Sequence, residues 1–235
     1  MLTFQATPSW GEVSAELVRP EGARWLLVLA HGAGAGMRHA FMENIARELA
    51  DAQVATFRYQ FPYKEHRRGR PDPPAVLTAT VRAAIRAASQ AAPGLPLLAG
   101  GKSLGGRMTS LAMAEEPVEA VRGIVFFGFP LHPAGQPGTK RAEHLARVAV
   151  PMLFLQGTRD TLADLNLLRP VCETLGPRAT LRVIETADHS FHVLKRSGQN
   201  DAGVLRELAR TMAAWAETLL TIENRKKKRR DSFRG

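Results

Sequence analysis

The chain predicts an α/β fold in which a mostly parallel, doubly wound sheet is flanked by helices. Three observations carry this expectation. Short apolar runs such as Trp25-Leu-Leu-Val-Leu-Ala30 and Val121 to Phe127 read as strands covered on both faces. Alanine- and leucine-rich stretches at helical spacing separate them, the alternation that winds a parallel sheet through right-handed crossovers. The glycine-rich and polar clusters follow those runs, at the strand ends where such sheets gather their chemistry.

Taken in order, residues 2 to 6 and 13 to 19 alternate about a Pro8/Gly11 turn and predict an antiparallel start. The Trp25 strand runs into His31-Gly-Ala-Gly-Ala-Gly36, and Phe41, Ile45 and Leu49 mark a helix before a strand from Val54 to Tyr59. Gln60 to Pro74, proline-rich and basic, reads as a loop, with Asp72 as N-cap and Pro73 in the first turn of an alanine-rich helix reaching Ala92. A strand from Leu95 to Gly100 leads to Gly101-Lys102-Ser103-Leu104-Gly105 and a helix to Ala114. After the Val121 strand come a short helix near Lys140 to Arg147, a strand from Pro151 to Gln156, and a helix from Leu162 to Leu175. A strand from Leu181 to Glu185 and a helix from Asp201 to Ile222 complete the pattern.

The 235 residues suit one domain, 1–224, with a basic tail, 225–235, expected to be disordered. Of the net charge of +10, six positives lie in Arg225 to Arg230 and others in His66 to Arg70. No aromatic side chains interleave with the tail, as a base-stacking surface requires, so specific nucleic-acid binding is not expected. The apolar runs are far short of the ~20 residues that span a bilayer. The start, MLTFQATPSW, lacks a basic and apolar export signal, and the single Cys172 suits a reducing compartment, so a cytoplasmic location is expected. Cys172 sits among leucines and reads as core.

A serine on a sharp strand-to-helix turn points its hydroxyl out of the top of a sheet and needs small neighbours two residues away on either side; here both are glycine. Alone the pentapeptide is weak, occurring by chance in roughly one chain in ten of this size. Its partners strengthen it. Ser103, Asp160 in Gly157-Thr-Arg-Asp160 and His189 in Thr186-Ala-Asp-His-Ser190 follow successive strands in the order serine, acid, histidine. A histidine that takes the serine proton needs a carboxylate to hold its tautomer and steady the imidazolium.

These motifs, with HGAGAGM, GGKSLGGR, FPLHPAG, GTRD and ADHSF, resemble the α/β-hydrolase superfamily over nearly the whole chain. Within it they look like the compact dienelactone-hydrolase-like branch, and more narrowly like a small hydrolase-like family that includes a testis-expressed protein and a nuclear acetyltransferase-complex subunit. The resemblance implies an α/β-hydrolase fold, Ser103 as nucleophile, Asp160 as orienting acid and His189 as base. It implies oxyanion donors from the N–H of Leu104 and of Ala33 or, next, Gly34. Lys102 replaces the aromatic or histidine often found before the serine, and no insertion is long enough for a large lid. The branch often uses a cysteine nucleophile, so its substrate does not carry over.

Other residues admit two readings. Asp160 reads as triad acid, as cap of the Leu162 helix, or as both, with Asp164 the fallback acid. His31 reads as a support for the oxyanion loop or as pocket wall. Lys102, Arg58, Tyr59, Tyr63 and His132 read as pocket wall or as structure. Asp188 reads as a turn former, and His189-x-x-His192 lacks a third ligand, so no metal and no cofactor are expected. A phosphate loop ending in Gly101-Lys102-Ser103 would need glycine at Pro96, and a dinucleotide fingerprint from Gly32 would need it at Met37. The expected function is a serine hydrolase acting on a small-molecule ester, thioester or lactone, with the basic loop suggesting an anionic one. The alternative is a non-catalytic interaction protein on the same scaffold. Oligomeric state is not legible.

Overall fold

The computed structural model describes residues 1–232, with side chains through Thr221. The strands are β1 (Leu2–Thr7), β2 (Gly11–Val18), β3 (Trp25–Ala30), β4 (Val54–Tyr59), β5 (Leu97–Lys102), β6 (Val121–Phe127), β7 (Met152–Gly157) and β8 (Ala179–Ile184). They form one sheet in the order β1-β2-β4-β3-β5-β6-β7-β8. β1 and β2 pair antiparallel, as does β2 with β4, and every later pairing is parallel. The helices are α1 (Ala40–Asp51), α2 (Pro62–Glu65), α3 (Pro74–Ala91), α4 (Leu104–Glu115), α5 (Leu165–Leu175) and α6 (Asp201–Ser232). The expected tail, 225–235, falls on residues whose side chains lie outside the described residues.

The pleat sorts each central strand onto two cores. Leu26, Val28 and Ala30 of β3 join Leu77, Val81 and Ile85 of α3, Met108 of α4 and Leu168 of α5. Trp25, Leu27 and Leu29 face the other way, onto Ile45 and Leu49 of α1 and Leu208, Met212 and Trp215 of α6. Both faces of β3 being covered, it is apolar throughout, and each buried large side chain contributes about 1.5–3 kcal/mol. Cys172 belongs to the first core, where burial and Glu173 raise its thiol to about 11, as a core cysteine should be.

Three local expectations are corrected, and the short helix near Lys140 to Arg147 is refined. Residues 60–74 are not all loop, because Pro62 opens the short helix α2. Asp72 does not cap α3, whose N-cap is Pro73; its buried carboxylate instead accepts from the Tyr63 N–H at 2.8 Å and from Arg68 at 2.7 Å. The Lys140–Arg147 stretch is a 3₁₀ helix. α5 begins at Leu165 rather than Leu162, with Asp164 as its cap, accepting from the Asn166 N–H at 2.8 Å.

The 3₁₀ helix is tied to α4 where His144 Nε2 meets Ser110 Oγ at 2.7 Å. Burial first, then the charges of Arg107 and Arg147, push His144 down to about 4; burial, followed by Lys64, does the same to His31. Between those values and the ordinary 6.5 the unfolded chain binds more protons than the folded one. The folded state is therefore expected to lose stability as pH falls from 6.5 towards 4, by up to about 1.4 kcal/mol per pH unit for each histidine. Urea unfolding across that range checks it, with His144→Gln losing one proton's share of the slope.

Candidate active site

β5 runs two residues beyond its expected end, with Gly101 paired to Phe126 and Lys102 to Phe127. Glycines are poor strand formers, which hid this continuation, but only glycine fits there. A Cβ on Gly101 would stand 2.8 Å from backbone atoms of Gly105 and Gly106, and one on Gly105 2.6 Å from the Ala30 carbonyl carbon. The turn falls on Ser103 itself, at φ 52° and ψ −117°. That conformation is strained for a residue with a Cβ, and it lifts the hydroxyl out of the sheet edge.

Asp160 follows β7 and is buried, its side chain at 0% exposure. Its Oδ2 accepts from Gln156 Nε2 at 2.5 Å and its Oδ1 from the Leu162 N–H at 2.8 Å. Gln156 is held in turn, its Oε1 accepting from the Phe129 N–H at 2.9 Å. His189 follows β8, and its Nδ1 lies 2.7 Å from Asp160 Oδ2 while its Nε2 lies 2.8 Å from Ser103 Oγ. The three residues singled out by chain order thus form one continuous hydrogen-bonded line. Since a carboxylate only accepts, Nδ1 carries the proton and Nε2 is the acceptor for the serine hydroxyl.

The His189 loop carries strain at both ends, with Thr186 at φ 58° and Phe191 at φ 66°. Asp188 shapes it, accepting from the Ser190 N–H at 2.8 Å and the His192 N–H at 2.9 Å. His192 pairs with Asp201 at 2.6 Å, which raises its pKa through that bond and lowers that of Asp201. Among the described residues no group of three or more His, Cys, Asp or Glu is placed to hold a metal ion.

On the other side of Ser103 lies the loop after β3. A Cβ on Gly32 would sit 3.8 Å from that of Ser103. His31 is fully buried; its Nδ1 donates to the Gly32 carbonyl at 2.8 Å while its Nε2 accepts from the Phe61 N–H at 3.1 Å. This neutral tautomer agrees with its lowered pKa. The Tyr63 hydroxyl donates to the Ala33 carbonyl at 2.8 Å. A cavity of about 670 Å³ opens beside Ser103, lined on one side by Ala33 and Gly34 and on others by Phe41, Met42, Phe191 and Leu205, with His39 and Asn44 also in its wall.

Of the possible pocket residues, only Lys102 lines this cavity. His31 does not line it and is instead bonded to the loop after β3. Tyr59 is fully buried against Phe4 and Phe61, and burial raises its hydroxyl's pKa, so it is core. His132 is loop structure: its Nδ1 donates to the Pro133 carbonyl at 2.8 Å and its Nε2 accepts from the Asp164 N–H at 2.9 Å. Arg58 turns its two terminal nitrogens to the Met37 carbonyl and Glu16. The basic loop does not reach the cavity, since Arg68 stacks on Trp10 and pairs with Asp72. Sequence reasoning missed Gln156, although a lone polar residue closing an apolar strand is a signal for such a role. The stacking of Phe41 on Phe191 at 5.9 Å left no signal.

No helix among the described residues is long and apolar enough to cross a membrane. Solved structures similar to the chain include an alpha-beta serine hydrolase homologue from Coxiella burnetii, 20% identical, covering 89% of this chain and 95% of that one with a TM-score of 0.71. A dienelactone hydrolase from Anabaena variabilis is 22% identical, covering 91% and 94% with a TM-score of 0.70. A lidless α/β serine hydrolase from Xanthomonas campestris is 21% identical, covering 90% and 93% with a TM-score of 0.67. At such identities the likeness is one of fold. The model of the alpha/beta hydrolase domain family matches residues 23–217, most of the chain, and with the sheet order and elbow described above it places this chain in the alpha/beta hydrolase domain family.

Proposed function

We propose that this protein is a serine hydrolase that cleaves a small ester, thioester or lactone through an acyl-enzyme. The observation that carries the reading is the line Asp160–His189–Ser103, with contacts of 2.7 and 2.8 Å, ending on a serine at a strained elbow. His189 Nε2 takes the Ser103 proton as Oγ attacks the acyl carbon, and Asp160 steadies the imidazolium. The proton passes to the leaving group, and a water activated by the same nitrogen then frees the acyl group.

The oxyanion is received by the N–H of Leu104, which opens α4 and has no partner within the helix, and by the loop after β3. His31 and Tyr63 hold the carbonyls of Gly32 and Ala33. Trans peptides turn the N–H groups of Ala33 and Gly34 to the opposite side, and both residues line the cavity. Apolar Phe41, Met42 and Leu205 favour an apolar body on the substrate. No cofactor takes part in this scheme.

Fluorophosphonate labelling of wild type, Ser103→Ala and His189→Ala tests the proposal. Stoichiometric labelling that needs both residues is expected; folded wild-type protein that stays unlabelled would leave a non-catalytic interaction scaffold as the reading. Tyr63→Phe is expected to lower kcat/KM about tenfold with KM unchanged, the worth of one hydrogen bond that positions an oxyanion donor. Steady-state kinetics on the best ester of a panel measures it.

A further inference from the structure

Lys102 closes β5 with its side chain turned into the protein, 8% exposed. Its Nζ donates to the His189 carbonyl at 2.5 Å and lies 5.7 Å from the Phe41 ring centre and 5.6 Å from that of Phe191. A Cβ on Gly128 would come within 3.2 Å of Nζ, 3.4 Å of His189 Nδ1 and 3.5 Å of Asp160 Oδ2, so all three atoms converge on one point. A buried ammonium carries a desolvation cost of several kcal/mol, which a methionine in the same place beside the two stacked rings would avoid.

We propose that Lys102 is a positioning residue for His189: its ammonium pins the backbone of the histidine and its charge keeps the imidazole neutral, ready to accept the serine proton. The proposal rests on the triad reading. Asp160 on its own favours the imidazolium, which cannot act as a base; a fixed cation beside the pair offsets that pull. The cation–π contacts from α1 and the His189 loop keep the cation there. The charged and titratable groups facing this assembly are Asp160 from the β7 loop, Asp188 and His192 from the His189 loop, His39 from the residue before α1, and Asp201 of α6, which His192 engages. Burial pushes Lys102 down to about 8 against the opposing pull of Asp160 and Asp188, so its charge is lost within an accessible range.

The test is an NMR titration of the His189 ring, assigned by its loss in His189→Gln, in wild type, Lys102→Met and Lys102→Gln. Both variants are expected to raise the titration midpoint by about one pH unit, the effect of removing one nearby charge. The acid limb of kcat/KM should move with it. Lys102→Gln keeps a donor for the His189 carbonyl and should retain more of kcat than Lys102→Met, which lacks one. Midpoints within about 0.2 units of wild type in folded variants, or a shift in the methionine variant alone, would overturn the role of the charge. Should the variants not fold, wild type decides: the His189 resonances are expected to inflect a second time as Lys102 loses its proton, below the ordinary lysine value of 10.5, and a response flat up to that pH overturns the proposal. The titration needs no turnover, so failure of the hydrolase reading shows separately, as absent fluorophosphonate labelling.

Discussion

Asp160→Asn is expected to lower kcat about 10⁴-fold while leaving KM nearly unchanged. Both carboxylate oxygens face donors: Leu162 N–H on Oδ1, and Gln156 Nε2 and His189 Nδ1 on Oδ2. An asparagine has one oxygen for these two sides. With that oxygen on the Leu162 side, its amide NH₂ points at two other donors and favours the tautomer in which His189 Nδ1 accepts. The proton then sits on Nε2, where no lone pair remains for the Ser103 hydroxyl. Steady-state kinetics on the best ester, with far-UV dichroism to verify folding, measures the effect. A fall of less than tenfold would remove Asp160 from the mechanism.

Gly105→Ala is expected to destabilise the fold by about 3 kcal/mol or more and to abolish labelling of Ser103. The new Cβ would lie 2.6 Å from the Ala30 carbonyl carbon and 2.7 Å from the His31 oxygen, both backbone atoms of the central sheet and its exit loop. Neither can rotate aside, so the first turn of α4 must lift off β3. That movement carries Leu104 away from the loop that holds Ala33. Gly138→Ala meets nothing within 4 Å at an ordinary φ and should stay within about 0.5 kcal/mol of wild type. Urea unfolding of the two variants side by side settles the comparison.

Most of the architecture was legible because apolar runs and their spacing obey local rules. The bounds of β3, β4 and β6 agree with the sequence reading. The errors have local causes too. β5 was cut short because Gly101 looks like the start of a turn, whereas it is glycine because Ala30 and α4 press on its backbone. Asp72 has the pattern of a cap, but its carboxylate finds Tyr63 and Arg68 instead, since a pattern cannot show which donor is nearer.

Within the site, chain order was enough to single out Ser103, Asp160 and His189, because a parallel sheet brings successive strand ends to one edge. Sequence alone also marked the glycine loop after β3 and the absence of a large insertion. Only the tertiary structure assigned the work of the neighbours. It sent Tyr59 into the core, gave His132 to a loop, made Asp164 a cap, and brought Gln156 to Asp160 and Lys102 to His189. Strand ends are fixed by periodicity, whereas the partner of a buried polar side chain depends on distances between residues far apart in the chain, set when the two cores close on the sheet.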